Sequence, residues 1–224
     1  MNYVSITRAT GARHLSPQHC AAFVRRRRRS QRGFTLLEVA IVVLMIGIIA
    51  AIITPKLLSS TDNAKALAYV TNAQTMAENW RMLNESCGTS NLIESSTITT
   101  NPGPAGAVQL IVDGTGLDTT DYQVCFNNAN VRSLHDSIQG SPSAGYTMNN
   151  SLITLSDATI NGIPMVGVQY NNVTDNIVLI DYQKLSSVSG AAQATSLPSS
   201  ADSTDPKIQF SSDNGGTRTM TLFE

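Results

Sequence analysis

The chain has 224 residues, of which 42% are hydrophobic and 14% are charged, and its formal net charge is −1. This length fits one domain of moderate size with additional segments. The charge is unevenly distributed, because residues 1–33 hold eight of the fifteen Lys and Arg residues and none of the sixteen acids. The rest of the chain therefore carries seven basic and sixteen acidic residues, a formal charge of about −9. Such an acidic surface argues against broad electrostatic binding to nucleic acid or anionic lipid.

Residues 34–53 form an apolar stretch in which only Thr35 and Glu38 are polar. A helix of roughly twenty residues covers about 30 Å, the thickness of the hydrocarbon layer of a membrane. Arginines occupy residues 25–29 and position 32, directly before this stretch, and no acid lies among them. The positive-inside rule therefore predicts that the amino-terminal end stays in the cytoplasm and that the chain after residue 53 is exported.

Glu38 is the anomaly of the apolar stretch, because an unpaired carboxylate inside a bilayer costs several kcal/mol. It needs a cationic partner, and residues 34–53 contain no basic residue. The partner must come from another chain or from a new amino terminus. Cleavage after Gly33 would make Phe34 the first residue, and its freed amine could neutralise the carboxylate of a neighbouring subunit.

The basic leader at residues 1–33, together with Gly33, Phe34, Glu38 and Pro55, resembles the class III signal of type IV prepilins and of their relatives, the type II secretion pseudopilins. In that family a membrane-embedded aspartyl peptidase cuts after the glycine and methylates the new amine. The resemblance implies peptidase cleavage between Gly33 and Phe34, N-methylation of Phe34, and a role for Glu38 in filament assembly.

The same resemblance implies the partners of the chain. These are identical pilin subunits stacked into a helical homopolymer, prepilin peptidase, the inner-membrane pilus assembly machinery, and membrane lipid before assembly. The implied location is the inner membrane, as a single-pass precursor with a cytoplasmic N-terminus, and then an extracellular pilus or fimbrium. The alternatives are an ordinary signal peptide or a plain anchor. Residues 54–56 offer no small-x-small cleavage site, and an anchor leaves Glu38 unexplained.

We predict one long helix over residues 34–87, because Gly88 is a typical helix stop. Its first part, residues 34–55, is the expected membrane and assembly helix, with Gly47 and Pro55 as the positions where a kink is expected. In residues 56–87 the pattern becomes amphipathic. The predicted buried stripe is Ala64, Leu67, Val70, Ala73, Ala77, Trp80 and Leu83, with the polar residues Asp62, Lys65, Asn72 and Asn79 between them.

Short alternating apolar runs after Gly88 predict strands, and two turns predict hairpins, one at Asn171 and Asn172 and one at residues 214–216. The fold class is therefore α+β and pilin-like. The second half of a long N-terminal helix packs on an antiparallel sheet, and residues 56–224 make the exported globular domain. The predicted strands are residues 107–112, 122–126, 146–155, 163–170, 176–182, 207–210 and 217–223.

Cys87 and Cys125 are the two cysteines of the exported part. In an oxidising compartment an even pair most simply forms a disulfide, which would tie the end of the long helix to an early strand. Two free thiols are the alternative. In many proteins of the resembling family the disulfide instead fixes the C-terminal region, so a C-terminal loop function does not transfer to this chain.

The sequence gives little support to enzyme chemistry, and we expect no catalytic residue, cofactor or metal. His135 is the only histidine after residue 33, and it lies in a polar loop. The segment from Asp113 to Asp118 could offer oxygen ligands to calcium, but it lacks EF-hand spacing and is better interpreted as a turn. His14 and Cys20 fall in the leader that cleavage would remove.

The sequence therefore predicts a structural subunit of a type IV pilus-like extracellular filament, which would serve adhesion, motility or DNA uptake. A minor pilin or a type II secretion pseudopilin is the alternative, and an anchored exported binding protein or enzyme is a third possibility. The larger domain and the cysteine pair count against a short major pseudopilin.

Processing gives the first testable prediction. Gly33→Val should block cleavage between residues 33 and 34, because a small residue must fit where the backbone enters the peptidase. N-terminal sequencing and intact mass of the membrane-extracted chain measure the outcome. A Gly33→Val chain that still matures to begin at Phe34 would show that the class III assignment is wrong.

Overall fold

The computed structural model describes residues 34–93 and 103–224. The chain divides into two compact units, Met1–Gly47 and Ile48–Glu224, and the boundary falls inside the first helix. In these parts of the chain the helices are α1 (Leu36–Cys87), α2 (Pro104–Asp113), α3 (Thr120–Asn128) and α4 (Asp175–Leu185), with a 3₁₀ turn at Ala191–Gln193. The strands are β1 (Gln139–Ser141), β2 (Gly145–Met148), β3 (Ser151–Ile160), β4 (Ile163–Thr174), β5 (Ile208–Phe210) and β6 (Thr217–Phe223). The α+β, pilin-like arrangement predicted from the sequence is confirmed.

The long helix ends where the sequence predicts. Helix α1 runs to Cys87, and Gly88 follows with φ 63°, the left-handed conformation that glycine adopts without strain. The Thr89 N–H donates to the carbonyl of Asn84, which closes the helix end. Pro55 lies within the helix.

In residues 56–87 of α1 the buried face differs from the predicted stripe at its amino-terminal end. Ala64 and Leu67 are exposed, with Leu67 at 62%, so their assignment to the core is wrong. Residues spaced three and four apart fit two overlapping stripes on the same helix. The periodic pattern alone does not show which of these two stripes carries the large buried side chains. The apolar residues that are buried are Ala66, Tyr69, Ala73, Met76, Ala77, Trp80 and Leu83.

Buried asparagines on α1 attach the loop between α3 and β1 to the helix. Asn79 is fully buried, its amide nitrogen donates to the carbonyl of Arg132 at 2.9 Å, and its amide oxygen accepts from the Arg132 N–H at 3.0 Å. Asn72 donates to the Ser137 hydroxyl at 2.8 Å. These side chains were predicted to lie between the residues of the buried stripe, and they are buried because they bond polar groups of the loop, the backbone of Arg132 for Asn79 and the Ser137 hydroxyl for Asn72.

The sheet has six antiparallel strands in the order β1-β2-β3-β4-β6-β5. The predicted strand at residues 146–155 is two strands separated by a turn at Asn149 and Asn150, both with positive φ. The predicted turn at Asn171 and Asn172 is instead a bulge, since β4 continues to Thr174 with a register shift. The hairpin at residues 214–216 is confirmed, and strands β4, β5 and β6 match their predictions closely.

A glycine and an aromatic side chain face each other on the outer side of the sheet. Gly167 of β4 pairs with Phe223 of β6. A Cβ added at Gly167 would lie 3.0 Å from the Phe223 ring and 2.6 Å from the Ser156 hydroxyl. The missing side chain therefore makes room for the ring, so glycine here serves packing.

Three predicted strands are helices. Residues 107–112 lie in α2, residues 122–126 in α3 and residues 176–182 in α4. Helix α2 is buried on several sides, so its apolar residues show no helical period. The local signals were nevertheless present, because Pro104 opens α2 and Gly114 ends it in the left-handed conformation.

The helix α1 and the inner face of the sheet share one hydrophobic core. At its centre the rings of Tyr69 and Tyr170 meet edge to face, with centroids 4.7 Å apart. The Tyr170 hydroxyl donates to the carbonyl of Tyr69 at 3.2 Å, and the Tyr69 hydroxyl lies 2.8 Å from that of Ser151. The buried polar atoms of both rings are therefore hydrogen-bonded.

The long loop before β5 is attached to the rest of the domain by polar side chains and not by a disulfide. The buried guanidinium of Arg218 lies 3.0 Å from Asp175, donates to the Pro198 carbonyl at 2.9 Å, and covers the Phe210 ring. Burial would raise the pKa of Asp205, but hydrogen bonds from the Lys207 N–H and from the loop at Ser186, among others, lower it. The C-terminal region is thus fixed by two charged residues.

Cys87 and Cys125 form a disulfide, as predicted, with Cα atoms 5.2 Å apart and a sequence separation of 38. The predicted partner element is wrong, because Cys125 lies on α3, a helix. The bond connects the end of α1 to a helix that has no fully buried residue of its own.

Loss of this disulfide should destabilise the domain. In the chain-entropy model a closed loop of this length stabilises the fold by about 3–4 kcal/mol, so Cys87→Ser with Cys125→Ser should lower the free energy of urea unfolding by about that amount. Two alkylatable thiols in unreduced native protein would disprove the bond.

Asp181 is a fully buried carboxyl group in the core. Neither of its oxygens has a hydrogen-bond partner in the described part of the chain. Burial raises its pKa to about 8, against a smaller opposing effect of Lys184. Burial raises the pKa of Tyr69 and of Tyr170 as well, and the nearby Asp181 charge adds to both increases. The carboxyl group is therefore mostly protonated at neutral pH.

This site predicts a pH-dependent stability. The folded pKa of about 8 lies above the ordinary value of 3.8, so the folded state holds the proton over that window. Stability from this group is fully present below pH 4 and is lost as pH rises through 8, with a slope of at most about 1.4 kcal/mol per pH unit.

Asp181→Asn keeps the shape of the side chain and removes its charge, so it should be more stable than the wild type at pH 8.5 and nearly equal to it at pH 4.5. Urea unfolding at both pH values measures the difference, which cancels the contributions of other titrating groups. Equal curves at pH 8.5 would contradict the assignment.

Candidate functional site

The amino-terminal end of α1 is capped by a threonine. The Thr35 hydroxyl accepts from the Glu38 N–H at 3.2 Å, and the Thr35 carbonyl accepts from the same N–H at 3.0 Å. Thr35 and Glu38 have the spacing of a capping box, in which a Thr side chain and a Glu three residues later stabilise a helix start. Sequence reasoning missed this local role of Glu38, although the T-x-x-E pattern before an apolar run was visible.

The carboxylate of Glu38 makes no hydrogen bond or ion pair with any described residue. The ion pairs of residues 34–93 and 103–224 join other groups, namely Arg132 with Glu78, His135 with Asp113, and Arg218 with Asp175. As an acid in the first turn, Glu38 also interacts favourably with the helix dipole. That interaction is worth about 0.3–1 kcal/mol, far less than the cost of a charge in a bilayer.

The side chains around Glu38 form a continuous exposed apolar surface. Phe34 is 80% exposed and Leu36 is 89% exposed. The large apolar residues from position 34 to 58 that are exposed are Phe34, Leu36, Leu37, Val39, Ile41, Val42, Val43, Leu44, Met45, Ile46, Ile48, Ile49, Ile52, Ile53, Leu57 and Leu58. A surface of this size far exceeds the few hundred Å² of contiguous apolar patch usual on soluble monomers.

Helix α1 is long and apolar enough to cross a membrane, judged by length and composition. Its most apolar window has no side chain buried in the protein, which distinguishes it from the core helix of a soluble domain. Together with the N-terminal sequence motif, this helix fits an inner-membrane location. Gly33 and the arginines at residues 25–29 and 32 lie outside the described residues.

Gly47 and Pro55 both lie inside continuous helix. A Cβ at Gly47 would meet nothing within 4 Å, so no contact in the subunit requires a glycine there. Pro55 has no N–H, which leaves the carbonyl of Ala51 without its helical donor, and the Thr54 hydroxyl bonds the neighbouring carbonyl of Ala50 at 2.7 Å. The kink at these positions stays a prediction.

The residues considered for catalysis or metal binding form a small surface cluster. His135 is 60% exposed and lies 3.7 Å from Asp113, which also accepts a hydrogen bond from the Tyr146 hydroxyl. Burial, and then Asp113, raise the pKa of Tyr146. Gly114 and Gly116 have positive φ, so the segment after Asp113 is the turn that was predicted. Within the described ranges no three His, Cys, Asp or Glu residues are placed to hold a metal.

Comparison with known proteins places the similarity at the amino-terminal end. The prokaryotic N-terminal methylation motif matches residues 28–54. Type II secretion system core protein G of Klebsiella michiganensis is 50% identical over 38 residues, which cover 17% of this chain and 27% of that protein. The same protein of Pseudomonas aeruginosa gives the same identity and coverage.

Core protein G of Escherichia coli K12 is 30% identical over 76 residues, 30% of this chain and 52% of that protein. The matches therefore span from about a quarter to about half of the length of these relatives. No solved structure matches the chain.

Proposed function

We propose that this chain, which is a type IV pilin-like protein, is a structural subunit of a filament that assembles through α1, and that the filament is a pseudopilus of a type II secretion system. One observation carries the proposal. The helix combines an exposed apolar surface with a carboxylate that has no partner among the described residues. Each of the two features requires a second molecule.

The apolar surface needs two successive environments. Lipid covers residues 34–53 while the chain is in the membrane. Leu57 and Leu58, which are 62% and 64% exposed, and Leu67 at 62%, lie beyond the predicted span. At about 25 cal/mol per Å², leaving such a helix in water is too costly, so an extracted subunit must cover it with the helices of other copies.

Glu38 gives the assembly its register. Cleavage at Gly33 would place a methylated, positively charged amine on Phe34, four residues before Glu38. A charge in an apolar medium is stabilised by an opposite charge with good geometry, and an unpaired one is strongly disfavoured. The amine of one subunit therefore pairs with Glu38 of its neighbour, which selects one stagger between helices.

The similarity favours the pseudopilus over the pilus that we put first from sequence alone. The relatives reported above are named as type II secretion components. The second candidate, a pilus subunit or minor pilin, is supported by the domain after α1, which has a six-stranded sheet and a disulfide and lies outside the motif matched at residues 28–54.

The remaining partners follow from this function. A prepilin peptidase would cleave and methylate the amino terminus, and an inner-membrane assembly machinery would lift subunits from the bilayer. We propose no catalytic role for the chain. The His135 cluster is explained by local structure, since Asp113 joins the end of α2 to β2.

Glu38→Gln separates charge pairing from helix capping, because glutamine serves a capping box as well as glutamate. The variant should insert, be cleaved and fold, yet its filament yield should fall by at least about tenfold, as expected when a buried ion pair loses one charge. Glu85→Gln, the same change at an exposed position of α1, is the matched control. Filament yield is measured by shearing and immunoblotting.

Wild-type filament yield from Glu38→Gln would exclude the charge-pairing mechanism. Loss of cleavage or of the folded domain would place the role of Glu38 before assembly. In the same strains, loss of secreted proteins from the medium identifies a pseudopilus, whereas loss of surface filaments with normal secretion identifies a pilus.

A further inference from the structure

The outer face of the sheet carries a groove lined mainly by uncharged polar residues, together with Asp202 and Phe210. It has a volume of about 340 Å³ and lies over β4, β6 and β5, with the loop before β5 as one wall. This volume is at the lower end of the range of small-ligand sites, about 300–1,000 Å³. Its lining includes Gln169, Gln209, Thr219, Thr221, Ser203 and Asp202.

The strand register places three of these side chains in one row. Thr221 of β6 pairs with Gln169 of β4 on one side and with Gln209 of β5 on the other. Thr154 of β3 pairs with Gln169 and extends the row to four strands. Neighbouring strands lie about 4.8 Å apart, so the row presents a hydroxyl between two amides at regular intervals on a rigid backbone.

Several hydrogen-bonding groups of the groove are free in the described part of the chain. Gln169 uses its amide oxygen to accept from Thr154, which leaves its NH₂ group. Gln209 uses its NH₂ group to donate to the Asp205 carbonyl, which leaves its amide oxygen. The hydroxyls of Thr221 and Ser203 engage no described residue, so the groove offers free donors at Gln169 and Thr221 and free acceptors at Thr221 and Gln209.

The charge of the groove restricts the ligand. Its described lining contains no lysine or arginine, and Asp202 is its one acid. One oxygen of Asp202 already accepts from the Thr204 N–H and hydroxyl. An anion would meet repulsion in a domain with an excess of acids, and an apolar ligand would leave the amides unpaired.

We propose that this groove binds an uncharged, hydroxyl-rich glycan. Each sugar hydroxyl both donates and accepts a hydrogen bond, which matches a row of hydroxyls and amides that does the same. A glycan chain lying across the strands meets Gln169, Thr221 and Gln209 in turn. The proposal depends on the fold of the exported domain and is independent of whether the chain forms a pseudopilus or a pilus.

The test uses the full chain in detergent micelles and three neutral probes, which are cellohexaose, maltohexaose and chitohexaose. Hexagalacturonate is the anionic comparison. Binding is detected by saturation-transfer NMR and quantified by titration. At least one neutral probe should bind the wild type, and hexagalacturonate should bind more weakly than it.

Thr221→Val removes the central hydroxyl and keeps a β-branched side chain, so the affinity for the neutral probe should fall about threefold to tenfold, as expected for one or two lost hydrogen bonds. Ser203→Ala should also lower the affinity for the neutral probe. Ser203 lies in an exposed loop, so this substitution should not impair folding. Thr147→Val on β2, outside the groove, is the matched control and should bind as the wild type does.

Absence of binding by all three neutral probes would overturn the proposal. Unchanged affinity in both Thr221→Val and Ser203→Ala, or tighter binding of hexagalacturonate than of any neutral probe, would overturn it as well.

Discussion

One carboxylate on an apolar helix is the constraint on which the account of this molecule depends. The side chain of Glu38 lies among exposed apolar residues, and no described residue neutralises it. Capping and the helix dipole explain why an acid is compatible with the first turn of α1. Their stabilising free energy is nevertheless small compared with the free-energy cost of burying a charge. In the filament that we propose, the amine of another copy would supply the missing partner of this carboxylate.

The domain that contains the sheet meets a different requirement, which is to hold a long helix on a sheet with a moderate core. The buried face of α1 provides Trp80, Tyr69 and smaller residues, and asparagines on the same helix form hydrogen bonds to the loop between α3 and β1. The two ends of the domain are fixed differently. A disulfide fastens α3 to the end of α1, whereas Arg218 and Asp205 hold the C-terminal loop by ion pairing and hydrogen bonds.

The features predicted correctly from sequence are those with a strong local cause. The span of α1, its end at Gly88, the disulfide and the last hairpin each follow from length, conformational preference or cysteine pairing. The three helices that were predicted as strands have short apolar runs, and in α2 burial on several sides removes the helical period. Their caps were the better signal, as Gly114 shows for α2.

Features that depend on tertiary packing could not be predicted from the sequence as well. The burial of Asn79 and Asp181 depends on what packs over them, and no local pattern predicts it. At the candidate site, sequence predicted Glu38 and the apolar surface but missed the cap at Thr35. Cleavage at Gly33 and the methylation of Phe34 stay predictions, because Gly33 lies outside the described residues and a single subunit shows no neighbour.

The most direct measurement is a structure of the assembled filament at a resolution that shows side chains. The account predicts that the Glu38 carboxylate lies within about 4 Å of the amino nitrogen of Phe34 in a neighbouring subunit, the distance of an ion pair. A filament in which Glu38 faces solvent, or in which the nearest cation is a side chain of the exported domain, would contradict it.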